Sequence, residues 1–315
     1  MPTTQMRYQG ALLGLAAGDA LGTTVEFKPP DSFTPMTEMI GGGPFRLKKG
    51  EWTDDTSMAL CLASSLIECR VFDAKDQMER YTRWRHEGYL SSNGSCFDIG
   101  ITISEALNRF ALTGNPIAGS RDPQSAGNGS LMRLAPVPMF FASNPERAIQ
   151  MSAESSRTTH GTRTCLDACR YFGGLLVGAL MGVTKPELLE TRYTPTGDQW
   201  NLDPLCPAID EIASGSFKDK NPPDIIGSGY VVRSLEAALW AFNKSSTFEE
   251  GCLLAVVWIP TPYRDLASGA GKVTIAGSTV PPDHAEPGHR LPWLLGAAGG
   301  HDEVHYLPAI SGGQP

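Results

Sequence analysis

Apolar residues recur along most of this chain at three- and four-residue intervals, the signature of helices with one buried face. Leu12, Leu13 and Ala16 fall on such a stripe between Gly10 and Gly22, and Met58, Leu62 and Leu66 with Ala59 and Ala63 form another after Asp55. Similar stripes predict helices around 76–87, 99–112, 162–182 and 229–242, with a further amphipathic helix over Phe248–Val257. No alternating β-branched run of useful length occurs, so no sheet is expected. Long Gly- and Pro-rich loops at 23–51, 88–97 and 114–138 separate the stripes. The pattern predicts an all-α bundle that carries its chemistry on loops and helix starts.

The last stretch breaks the pattern. From Ile259 to Pro315 there are eight Pro, nine Gly and four of the six His, and helical periodicity largely disappears. The organisation expected is a domain over 1–257 followed by an atypical tail over 258–315.

Composition narrows the classes. The 315 residues are 41% hydrophobic and 19% charged, enough apolar material for a sizeable core. The formal net charge of −8 argues against a general nucleic-acid or anionic-membrane binder, though not against a local anion pocket. The longest apolar run, Tyr171–Val183, is too short to span a bilayer, and no basic leader precedes Gly10–Gly22. A cytoplasmic protein is expected. Seven scattered cysteines lack metal-ribbon spacing, and Cys61, Cys165 and Cys169 sit among apolar neighbours as buried free thiols would.

The sharpest local feature is Trp52-Thr53-Asp54-Asp55-Thr56, directly before a helical stripe. One aspartate there would serve as a helix cap. Two aspartates and a hydroxyl within a turn also suit a hard cation that takes oxygen ligands. Ser125-Ala126-Gly127-Asn128-Gly129-Ser130 is either an ordinary turn or a loop whose small residues let backbone N–H groups approach an anion, with a following helix adding its positive end. Glu26 is flanked by Val25 and Phe27, Asp98 sits at an expected helix start, and His160 follows Thr158-Thr159. An acid buried among apolar groups is suited to proton transfer; Asp98 as a cap and His160 as a structural histidine are the plainer readings. His301-Asp302-Glu303-Val304-His305 lacks the Glu directly after the first His and the helical setting of a zinc-protease motif.

Taken in order, Gly10–Gly22, Glu26-Phe27, Trp52–Thr56, Cys96–Gly100, Gly127–Arg133, Thr158-Thr159-His160 and Leu235–Phe242 resemble the ADP-ribosylglycohydrolase family over about residues 6–257. The resemblance implies an all-α domain that hydrolyses the bond joining ADP-ribose to a protein side chain at a dinuclear Mg²⁺ or Mn²⁺ site. It implies Thr53, Asp54 and Asp55 as one half of the metal site and Glu26 and Asp98 as catalytic acids. Ser125, Gly127, Asn128 and Gly129 would hold the pyrophosphate, and His160 would touch the ribose. The partner expected is an ADP-ribosylated protein or a small molecule containing ADP-ribose.

The family's second metal half, Asp-x-Asp-Thr after the last amphipathic helix, is absent; the chain reads Val257-Trp258-Ile259-Pro260-Thr261-Pro262 there. Skipping two bases of the Trp258 codon forces an Asp codon and permits the rest of Asp-x-Asp-Thr. Gly271–Ala276 likewise permits the family's Tyr-Tyr-Gly. The expectation is a change of reading frame in the gene after codon 257 and an impaired hydrolase. The alternative is a non-catalytic member that binds ADP-ribose or serves structurally.

Overall fold

A computed structural model describes residues 2–28 and 32–258. The tail expected over 258–315 and the His301/His305 pair therefore lie outside the described residues, apart from Trp258.

The described chain forms helices α1 (Thr4–Gly22), α2 (Asp54–Cys69), α3 (Ala74–Glu87), α4 (Ile101–Thr113), α5 (Pro136–Phe140) and α6 (Pro145–Arg157). They are followed by α7 (Arg163–Met181), α8 (Lys185–Leu188), α9 (Gln199–Leu202), α10 (Pro207–Ala213), α11 (Val231–Lys244) and α12 (Phe248–Trp258). Among the described residues β-pairing is limited to three isolated bridges, so the all-α expectation holds. Local chemistry explains many of the ends. Thr3, Asp73, Asn144 and Thr162 accept backbone N–H groups at the starts of α1, α3, α6 and α7. Gly88, Gly114 and Gly182 turn left-handed to stop α3, α4 and α7.

Helix α7 is the axis of the bundle, packing against α1, α5, α6, α10 and α11. It approaches α6 closely because Gly173 faces Ser152: a Cβ there would lie 2.4 Å from the Ser152 Oγ. Helix α2 is buried on two sides. Leu62 and Leu66 join the main core with Ile149, Tyr171, Ile209 and Leu235, whereas Met58 and Cys61 join a second cluster with Met78, Tyr81, Trp84 and Ile103. A helix held from both sides makes a firm platform for whatever its first turn presents.

Cys61, Cys165 and Cys169 are buried free thiols, as expected. Among the described residues no helix is long and apolar enough to cross a membrane. Helix α6 was not expected, because its buried face is largely serine: Ser152, Ser155 and Ser156 lie inside with Ala148, Ile149 and Met151. Its Asn144-Pro145 start is nonetheless a sequence signal for a helix N-terminus.

Candidate active site

The first turn of α2 is capped in trans. Thr53, at its N-cap, makes no capping bond with its own side chain. The fully buried Asp19 of α1 supplies the acceptors instead. Its Oδ2 takes the Thr53 N–H at 3.0 Å, the Thr56 N–H at 3.1 Å and the Thr56 hydroxyl at 2.7 Å, while Oδ1 takes the Thr53 hydroxyl at 2.7 Å. Four donors on one acceptor-only carboxylate fulfil its hydrogen-bonding capacity.

With capping done by Asp19, the two aspartates of the first turn are left to face a cleft. Asp54 and Asp55 line it together with Asp98, Gly100, Ile101, Thr102, Ile103, Gly127, Asn128, Gly129, Met132, His160 and Gly229. The negative field at this wall is felt by Cys96, whose thiol is pushed up to about 11, first by burial and then by the Asp54 charge. Asp98 is not the cap of α4, as its plain reading had it. Helix α4 begins three residues later, at Ile101, with Gly100 at its N-cap, and Asp98 occupies the preceding bend at φ 59°. Aspartate tolerates that left-handed conformation better than most residues, and it turns the cleft-lining segment into α4.

The opposite wall is the loop Gly127–Gly129, bound tightly to the segment ahead of α11. The Asn128 N–H donates to Gly229 O at 2.9 Å, the Asn128 side-chain amide to Ser234 Oγ at 3.0 Å, and the Val231 N–H to Ala126 O at 3.0 Å. This wall differs from the expected anion cradle in two ways. The Gly127 and Asn128 amides are already committed, to Ser125 O and Gly229 O, which leaves the Gly129 amide as the uncommitted donor of the three. No long helix follows the loop; turns lead instead to the five-residue α5.

His160 stands against this loop. A Cβ on Gly129 would lie 2.8 Å from its Cε1, so only glycine admits the ring. Its Nδ1 lies 2.8 Å from the Thr159 hydroxyl, which accepts from the Arg133 guanidinium at 2.6 Å. Burial, and after it the Arg133 charge, pushes the imidazole down to about 3, so the ring is neutral at physiological pH.

Of the residues singled out in sequence, Asp54, Asp55, Asp98, Gly127, Asn128, Gly129 and His160 therefore share one cleft. Thr53, Glu26 and Ser125 are not in its lining. Thr53 lies buried beneath Asp54, and its hydroxyl also reaches Asp54 Oδ1 at 3.3 Å. Glu26 is buried after a short turn that follows α1, with Oε2 accepting the Thr23 hydroxyl at 3.3 Å. The Ser125 hydroxyl donates to Asp122 O at 2.7 Å.

Sequence reasoning gave no role to Asp19 or Arg133. An aspartate inside an apolar helical stripe was the available signal, since a buried carboxylate needs partners. Arg133 gave no comparable sign. Asp54 and Asp55 are hard oxygen donors, but no group of three or more His, Cys, Asp or Glu among the described residues could hold an ion.

Three acids, a neutral Gly-Asn-Gly loop and a neutral histidine thus line one cleft of a helical domain. The chain belongs to the ADP-ribosylglycohydrolase family, whose sequence model matches residues 1–257. It is 40% identical over 249 residues to ADP-ribosylarginine hydrolase Tri1 of Serratia proteamaculans, covering 79% of this chain but 65% of that protein. It thus spans just under two thirds of that relative's length. It is 34% identical over 264 residues to ADP-ribosyl-[dinitrogen reductase] glycohydrolase of Rhodospirillum rubrum, covering 81% of this chain and 80% of that one. A solved structure described as an ADP-ribosylglycohydrolase-related protein complex superimposes with a TM-score of 0.73 at 40% identity, over 92% of each chain.

Proposed function

We propose that this chain hydrolyses the N-glycosidic bond between ADP-ribose and an arginine side chain of a modified protein. The observation that carries this reading is the cleft itself, with Asp54, Asp55 and Asp98 facing Gly129 and His160. The arginine acceptor is taken from the Serratia relative's activity.

Breaking the bond builds positive charge on the ribose ring, which nearby carboxylates stabilise. Asp98, in the cleft lining, is the acid assigned to carry the proton of the attacking water, with Glu26 as the second acid. On the other wall the Gly129 amide and His160 meet the oxygens of ADP-ribose without a cationic side chain in the lining, which suits a chain of net charge −8. Thr53, Asp54 and Asp55 would hold one side of a Mg²⁺ or Mn²⁺ ion, which when bound orients ribose hydroxyls and lowers the pKa of water. Three oxygens are about half of the coordination such an ion requires, so turnover is impaired at ordinary metal concentrations.

Calorimetry with ADP-ribose, with and without Mg²⁺, tests the reading beside an assay of ADP-ribose release from arginine-modified protein. Binding with slow, metal-stimulated release is expected. Binding with no release at any metal concentration identifies a non-catalytic ADP-ribose binder instead.

A further inference from the structure

Arg133 is completely buried, and no carboxylate pairs with it among the described residues. Its guanidinium instead donates to Gly129 O at 2.9 Å and to the Thr159 hydroxyl at 2.6 Å, and it lies over the Tyr81 ring at 4.8 Å. A buried charge held only by neutral groups is costly, and its two close hydrogen bonds both lead to the cleft wall. One fixes the carbonyl of the loop glycine and the other reaches His160 through a single hydroxyl.

The hydrogen-bond inventory determines the proton positions. Arginine has only donors, so the Thr159 oxygen accepts from it. The Thr159 hydrogen then needs an acceptor, because the side chain is fully buried, and Nδ1 of His160 at 2.8 Å is the acceptor available among the described residues. Nδ1 therefore carries no proton. A neutral imidazole in this state carries its hydrogen on Nε2. That atom has no hydrogen-bond partner among the described residues, and it lies at the loop edge of the cleft, 3.3 Å from where a Cβ on Gly127 would stand.

We propose that Arg133 and Thr159 are positioning residues that lock His160 as the neutral Nε2–H tautomer, so that it donates a hydrogen bond to an oxygen of ADP-ribose and does not act as a base. The proposal rests on the cleft being the ADP-ribose site, but the tautomer belongs to the free protein and is measurable without any reaction. The low proton affinity of the ring fits the same arrangement, since protonation would bury a charge and put a second cation beside Arg133.

The test is NMR of the histidine ring nitrogens in ¹⁵N-labelled full-length protein, with His160→Gln to assign the signal. Wild type is expected to show Nε2 protonated and Nδ1 bare from pH 5 to pH 8. Thr159→Val, which keeps the shape and removes the relay, is expected to mix the tautomers and weaken ADP-ribose binding about tenfold. Thr159→Ser restores both. A protonated Nδ1 in the wild type overturns the proposal, and so does a Thr159→Val protein that keeps both tautomer and affinity. If the Nε2–H tautomer is found but ADP-ribose does not bind, the function proposed for the cleft fails while the relay stands.

Discussion

The Asp19 carboxylate and the Thr53 hydroxyl meet at 2.7 Å between α1 and α2, and this buried contact orients the acidic wall of the cleft. Thr53 also donates its N–H to Asp19, so the helix start bearing Asp54 and Asp55 is fixed from a neighbouring helix.

Replacing Asp19 with Ala strips acceptors from four buried donors at once. Leaving buried donors unsatisfied costs about 1–3 kcal/mol each where they cannot relax, so a loss of at least about 3 kcal/mol is expected. Urea unfolding measures it. Thr56→Val removes one donor and should cost about 1 kcal/mol. An Asp19→Ala protein with an unchanged urea midpoint contradicts the trans-capping account.

Asp54→Asn and Asp55→Asn should separate stability from function. Both carboxylates line the cleft, and Asn keeps their size while removing the charge, so the variants should remain folded. ADP-ribose release should fall by about 100-fold or more, as expected when a charge that stabilises the transition state is removed. Thermal melts beside activity assays of both variants make the comparison.

His160 gives stability a pH dependence of definite sign. Its folded-state proton affinity is depressed to about 3, against about 6.5 in an unfolded chain. The unfolded state therefore binds the extra proton first as pH falls. The neutral ring costs nothing above about pH 6.5, and stability is lost progressively between about 6.5 and 3. Urea midpoints of wild type and His160→Gln at pH 7 and pH 5 should show a shallower loss in the variant. Equal losses contradict a buried neutral imidazole.

The ligand set proposed above, Thr53, Asp54 and Asp55 alone, predicts weak metal binding. Mn²⁺ titration of the chain should saturate only at high concentration, and restoring Asp-x-Asp-Thr in place of residues 258–261 should tighten it strongly. The gene itself should read Asp-x-Asp-Thr in the alternative frame after codon 257. Sequencing codons 250–280 decides that point directly.

Much of the fold was legible because its long helices carry apolar stripes with clear stops, as in α2, α3, α7 and α11. Helix α6 was not, because a face of Ser152, Ser155 and Ser156 reads as polar until α7 brings Gly173 against it. Motif order picked out seven residues that share one cleft, but not the hydrogen bonding within its loop. Which amide points where depends on the Asn128–Gly229 contact, formed across about a hundred residues. Asp19 binds partners more than thirty residues away and Arg133 reaches Thr159 across 26 residues, so the roles of both depend on the tertiary fold.

The most direct measurement is release of free ADP-ribose from a protein modified on arginine, followed over a Mn²⁺ titration with Asp55→Asn as control. The account predicts slow release that rises with metal and is lost in the variant. Release that ignores both the metal and the Asp55 carboxylate would contradict it.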